Sequence, residues 1–229
     1  KIDDMGGLQA DFNRRLILGL EGFGKKPMGW DEILHPTLPD NVVIQCWRGM
    51  RGRDEALRAG YDCVISAPYY LDLFMPAGVH YQYDPEAEGE DLERLDDRLQ
   101  DDSRFAHVVG GIGWGKGFAD YPELARPGPG KVLGAEACIW TELVTDELLD
   151  QRVWSRMPAI AERFWSDRGV RDELDMYRRL ERQFVRLEQL FGVDAMTNRD
   201  MLEAPGLEPL IDMLEPVKGY TRILGEELS

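Results

Sequence analysis

Four pairs of residues, each two positions apart, hold the groups with which this sequence could do chemistry: Trp30 and Glu32, Gln45 and Trp47, Tyr70 and Asp72, and Trp140 and Glu142. Each pair joins an aromatic ring to a hydrogen-bonding group. On an extended strand, residues two apart project from one face, so each ring would lie beside its polar companion. The fullest case is 132–144 (VLGAEACIWTELV), where Glu136, Cys138, Trp140 and Glu142 alternate with Ala137, Ile139 and Thr141. A strand that ends in an indole and a carboxylate on one face is poor core design. It suits the floor of a polar pocket, with a flat apolar surface beside a hydrogen-bond acceptor. For that segment alone, a buried Trp next to a solvated Glu is the alternative. Four such pairs near strand ends, using three of the six Trp, weigh against an accident of packing.

An aromatic-walled pocket with several acceptors suits a carbohydrate, because pyranose C–H faces lie on indole rings while outer hydroxyls donate to carboxylates. Other chemistries find less support. The histidines His35, His80 and His107 fall in predicted loops and, with the cysteines, form no metal-ligand pattern, so neither metal nor cofactor is expected. Cys46, Cys63 and Cys138 each sit in an apolar run and read as buried, inert thiols rather than a disulfide framework. No Ser elbow or Cys–His pair can be assembled. The glycine-rich 109–117 (VGGIGWGKG) is not a phosphate loop: no Ser or Thr follows Lys116, and Tyr121-Pro122 blocks the helix such a loop should begin. A formal charge of −16 with no basic cluster argues against nucleic acid and anionic membrane surfaces as partners. No apolar run approaches the ~20 residues of a membrane span.

The elements that must position these pairs follow from periodicity. A helix is predicted over 11–20, closed by Gly22 and Gly24, then a short strand over 25–34 that turns at His35-Pro36. A β-branched strand over 41–47, a helix over 53–59 stopped by Gly60 and a strand over 61–66 follow. Residues 74–130 are the least regular, with an acidic stretch at 86–102 read as solvated. After the strand at 132–142 come helices over 157–165 and 172–190. In the second, Tyr177, Leu180, Phe184, Leu187 and Phe191 make one apolar face, and Gly192 is the stop. From Thr197 the helical pattern breaks. Strands separated by crossovers imply a parallel sheet, and four units fit half of a (β/α)₈ barrel, whose sites gather at C-terminal strand ends. A doubly wound sheet is the alternative. At 229 residues with 43% hydrophobic content, the chain can form one large domain or a domain with a helical appendage. It begins at Lys1 with no signal peptide and is expected to be a processed product or a piece of a longer chain.

The segments GWDEIL, VIQCWRG, SAPYYLDL and VLGAEACIWTELV, followed by AERFWS, resemble the second half of the catalytic barrel of family 20 glycoside hydrolases, the β-N-acetylhexosaminidases. The resemblance covers about residues 10–166, in the family's order. It implies an α/β fold, the C-terminal half of a TIM barrel (strands five to eight) over residues 1–168, with a C-terminal helical extension over 169–229. It implies that Trp30, Trp47 and Trp140 wall the site of a terminal N-acetylglucosamine or N-acetylgalactosamine. Trp140 would lie under the ring, and Trp30 and Trp47 would enclose the acetamido methyl. Tyr70 would serve catalysis by hydrogen-bonding the acetamido carbonyl, and Glu142 and Asp72 would hold outer hydroxyls. A periplasmic or secreted setting is favoured by the resemblance alone.

The family's chemistry is substrate-assisted: the 2-acetamido oxygen attacks the anomeric carbon, an Asp orients that amide, and the adjacent Glu protonates the leaving oxygen. That Asp–Glu pair lies on the fourth strand in a His-x-Gly-Gly-Asp-Glu motif, which this sequence lacks. Asp31–Glu32 does not replace it, since alternation sends Asp31 away from Trp30's face and the motif belongs one strand earlier. The isolated chain is therefore expected to be nearly inactive, and to meet a missing N-terminal half-barrel or self-associate through open sheet edges. A non-catalytic N-acetylhexosamine-binding or scaffolding module is the second reading.

Overall fold

The computed structural model describes residues 5–73, 75–87, 101, 129–141 and 144–193. Two compact units emerge, one from Lys1–Ala67 and Gly113–Glu136, the other from Pro68–Ile112 and Ala137–Ser229. Among the described residues, no helix is long and apolar enough to cross a membrane.

The first unit is a parallel sheet. Strands β1 (Met28–Trp30), β2 (Val43–Cys46), β3 (Cys63–Ile65) and β4 (Val132–Ala135) pair in the order β1-β2-β3-β4. Every residue of β2 is buried, as a near-continuous apolar run requires when both faces of a strand are covered. Helix α1 (Met5–Glu21) precedes β1 and ends where Gly24 takes a left-handed φ of 68°. Helix α2 (Met50–Arg58) joins β2 to β3, with Met50 and Ala56 buried and Gly60 turning the chain back at φ 82°. Between β1 and β2 the chain uses a single 3₁₀ turn, Asp31–Ile33, and the turn at His35, where Leu38 N–H donates to His35 O at 2.9 Å.

All four strands are present but shorter than their periodicity suggested, because a strand persists only while a neighbour pairs with it. Beyond Cys46 the ladder ends: Ser66 N–H and Ala67 N–H both donate to the Cys46 carbonyl, at 2.9 and 3.2 Å. In β4 the register skips one residue opposite the Cys63/Val64 step, leaving Leu133 over as a bulge. The described part of the predicted strand beyond β4, 136–141, instead makes one isolated bridge through Cys138 to Tyr70.

The second unit is helical: α3 (Ala77–Gln82), α4 (Asp146–Trp154), α5 (Met157–Trp165) and α6 (Glu173–Phe191). Helices α5 and α6 fall where expected; α3 and α4 lie in segments whose sequence gave no clear period. The core gathers Ala77, Tyr81, Ala159, Met176, Leu180 and Phe184, with Tyr177 and Leu187 packed against it. Asp172 caps α6, its carboxylate accepting from Asp175 N–H at 3.0 Å, and Gly192 ends it at φ 67°. One member of the predicted stripe departs from it. Phe191 is 73% exposed, and Met176, four residues before Leu180, takes the inward position in the first turn.

This packing sets an expectation for urea denaturation. Phe184→Ala should cost about 3–5 kcal/mol, the range for emptying a buried aromatic site, whereas Phe191→Ser should change stability by less than about 0.5 kcal/mol.

Candidate functional site

In the first unit the polar and aromatic groups share one sheet face. Trp30 is in register with Gln45, Gln45 with Val64, and Val64 with Gly134. Trp47, Ser66 and Glu136 each lie two residues farther along and return to that face. Gln45 Nε2 donates to Ser66 Oγ at 3.2 Å and to the Glu136 carboxylate, while Ser66 Oγ donates to Glu136 Oε1 at 2.8 Å. Three strand ends are thus tied by one half-buried carboxylate. The rings of Trp30 and Trp47 meet edge to face, centroids 6.4 Å apart at 82°. The Arg48 guanidinium lies 5.8 Å from the Trp47 ring.

The predicted pairing of Trp30 with Glu32 fails, for a geometric reason. The strand ends at Trp30, and a 3₁₀ turn rotates each residue by about 120° rather than alternating faces. Asp31 is consequently buried with no exposed surface, and Glu32 faces solvent. Asp31 accepts from Arg48 Nε at 2.7 Å and from the Trp47 backbone N–H at 3.3 Å. It therefore fixes the peptide that carries one of the two facing indoles. Burial pushes the Asp31 carboxyl up to about 6, outweighing the opposing Arg48 guanidinium.

The second unit holds Tyr70, Asp72 and Trp140. Tyr70 is buried and bridges to Cys138, flanked by Leu71 N–H donating to Cys138 O at 2.7 Å and Cys138 N–H to Tyr69 O at 3.0 Å. Asp72 Oδ1 accepts from the Trp140 backbone N–H at 3.2 Å, so the carboxylate and the indole belong to one hydrogen-bonded loop pair. Trp140 is 40% exposed. Arg152 Nη1 donates to Asp72 O at 3.2 Å, and the Arg156 guanidinium donates to the carbonyls of Leu71 and Leu73. Glu142 lies outside the described residues, as do His107, the glycine-rich 109–117 and the tail beyond 193.

Among the described residues, no group of three His, Cys, Asp or Glu side chains could hold a metal ion. Cys46 and Cys63 are fully buried, and Cys138 is half-buried. A hydrogen bond with Cys63, reinforced by burial, pushes the Cys46 thiol well up, which suits an inert role. His80, expected in a loop, sits buried in α3. Its Nδ1–H donates to Pro68 O at 3.0 Å, and burial with the nearby Arg156 pushes its pKa down to about 3, so it stays neutral. Sequence reading missed the Glu136 tie, the Asp31 anchor and the two arginines. Only the clustering of Arg152 and Arg156 four residues apart carried a signal, and no expected helix placed them.

The raised Asp31 carboxyl has a sign that can be checked. Between about pH 3.8 and 6 the folded protein holds a proton that the unfolded chain has released, so this group's contribution to stability falls as pH rises. The stability of the natural chain minus that of Asp31→Asn should drop by about 2–3 kcal/mol between pH 3.5 and 7 in urea melts.

Comparison with known proteins places these features in a family. Residues 1–168 match the model described as glycosyl hydrolase family 20, catalytic domain. The β-hexosaminidase subunit beta of Entamoeba histolytica is 31% identical over 172 residues, covering 75% of this chain and 28% of that protein. The β-hexosaminidase of Porphyromonas gingivalis is 30% identical over 195 residues, covering 82% of this chain and 22% of that protein. The structure of Flavobacterium johnsoniae chitobiase superposes with a TM-score of 0.62 at 32% identity, covering 87% of this chain and 26% of that one. A Vibrio harveyi exo-β-N-acetylglucosaminidase, solved with N-acetylglucosamine, shares the fold at a TM-score of 0.59 and 22% identity, over 83% of this chain and 28% of its own. The chain spans about a quarter of the length of these relatives. With a family model over residues 1–168 and parallel strands of the kind a TIM-barrel catalytic domain requires, the chain belongs to glycoside hydrolase family 20.

Proposed function

We propose that this chain supplies strands five to eight of a β-N-acetylhexosaminidase barrel within residues 1–168, followed by a helical extension over 169–229. In this reading β1 to β4 are those four strands, and the chain carries much of the subsite for a terminal non-reducing N-acetyl-β-hexosamine. The observation that carries it is the edge-to-face pair of Trp30 and Trp47 at 6.4 Å, with Asp31 holding the Trp47 peptide. Two indoles set at 82° offer a flat wall and an edge, the surfaces that would enclose an acetamido methyl.

Tyr70 is assigned the acetamido carbonyl. A phenol hydrogen-bonded to that oxygen would hold the amide in line with the anomeric carbon it attacks. Trp140 lies under the pyranose ring, and Asp72 and Glu142 accept from its outer hydroxyls. The orienting Asp and the acid Glu come from the missing N-terminal half, since their motif is absent from this sequence. The second reading is a module that binds N-acetylhexosamine without cleaving it.

Hydrolysis of a chromogenic N-acetyl-β-glucosaminide separates the two. This chain alone should be nearly inactive, and the chain joined to strands one to four should be active. In the joined protein Tyr70→Phe should lower kcat by about 10²-fold, the scale of a misplaced reacting group. Trp140→Ala should lower kcat/KM through a higher KM. Substantial activity from this chain alone would return Asp31–Glu32 to consideration as the catalytic pair. No activity in either form would favour the binding module.

A further inference from the structure

The segment 70–73 carries two assigned ligands of the sugar, Tyr70 and Asp72, yet it forms no regular element beyond one bridge. Its backbone is held by side chains. Arg156 has no exposed surface, and its guanidinium donates to the carbonyls of Leu71 and Leu73 and, at 2.6 Å, to that of Arg152. Arg152, 5% exposed, reaches the carbonyl between them, Asp72 O, at 3.2 Å. Three successive carbonyls of the segment thus point at two arginines four residues apart, one in α4 and one at the start of α5. The opposite edge is fixed by Leu71 N–H on Cys138 O, and Asp72 is fixed by the Trp140 N–H.

A buried guanidinium is costly to desolvate. Packing alone would be served as well by an apolar side chain of similar volume. A planar fork meeting two carbonyls two residues apart achieves something an apolar residue cannot: it fixes the peptide that precedes Asp72 and the one that follows Leu73, while Arg152 holds the peptide between them. Neutral His80, packed near Arg156 and bonded to Pro68 O, holds the start of the same segment without adding a second buried charge.

We propose that Arg156, with Arg152 beside it, is a positioning residue that clamps the carbonyls of 71–73 and so sets Tyr70, Asp72 and the Trp140 loop for the sugar. The clamp rests on the hexosaminidase reading for its purpose, but not for its existence.

Two readouts of Arg156→Lys separate these. By hydrogen exchange on the full chain, the Leu71 and Trp140 amides should lose at least about 10-fold in protection, while the Ile44 amide in β2 should not. In the chain joined to strands one to four, kcat/KM for the chromogenic glucosaminide should fall by about 10- to 100-fold, the scale of an ångström-size misplacement. Arg163→Lys is the control. That arginine is also buried but donates to Val170 O and Asp167 O, so its variant should leave the Leu71 and Trp140 amides and kcat/KM unchanged. Unchanged exchange at Leu71 and Trp140, equal loss at Ile44, or local loss with full activity would each overturn the proposal. An inactive joined natural chain would instead defeat the functional reading, and the exchange pattern would still decide the clamp. If Arg156→Lys does not fold, Arg152→Gln, which removes the bond to Asp72 O, carries the same comparison.

Discussion

A parallel strand ends where its neighbour stops pairing, and the peptide groups just beyond that point must find other partners or lose the free energy of burying them unpaired. This constraint governs the protein. Each sheet strand among the described residues has only three or four residues, so the chemically interesting side chains fall at the last paired position or just past it. What holds them is a set of side-chain anchors. Asp31 accepts the Trp47 N–H, Glu136 collects Gln45 and Ser66, and Arg152 and Arg156 take the carbonyls of 71–73. Short strands with anchored ends give aimed side chains on irregular backbone.

The anchors differ in electrostatic kind. Asp31 faces a guanidinium and a peptide N–H, and burial still raises it, so its charge is held at some cost to the fold. Arg156 meets carbonyls, and losing it would take a charged donor from Leu71 O and from Leu73 O, the second of which still accepts from Met75 N–H at 3.0 Å. Glu136 is half-buried and satisfied by an amide and a hydroxyl. In each case the polar group fixes a local geometry that apolar packing would leave free. The hydrophobic work is done elsewhere, by the continuous apolar run of β2 and by the Tyr81, Met176, Leu180 and Phe184 cluster of the helical unit.

The strands and the long helix were legible because their signals are local. A β-branched run reads as β2, and Asp172, Gly192 and the spacing of Leu180 and Phe184 read as α6. The aromatic residues of the four strand-end segments were legible as types in the family's order, which is why the family could be recognised before any geometry. Period-two reasoning failed at Asp31 and Glu32, because it assumes that the strand continues through them; a 3₁₀ turn reversed which carboxylate is buried. The arginine clamp was illegible because its partners are backbone carbonyls some 80 residues away, and a carbonyl has no residue type to read. Helix α4 was missed for a related reason: its sequence DELLDQRVW is too polar to show a stripe, and its burial is concentrated in Arg152.

We propose that the acetamido group is recognised through aromatic residues held by buried polar anchors. The most direct measurement is intrinsic tryptophan fluorescence of the chain joined to strands one to four, titrated with N-acetylglucosamine and with glucose. A saturable change with N-acetylglucosamine, absent with glucose and abolished by Trp47→Phe, is the predicted result. An equal response to the two sugars, or one that survives Trp47→Phe, would contradict the account.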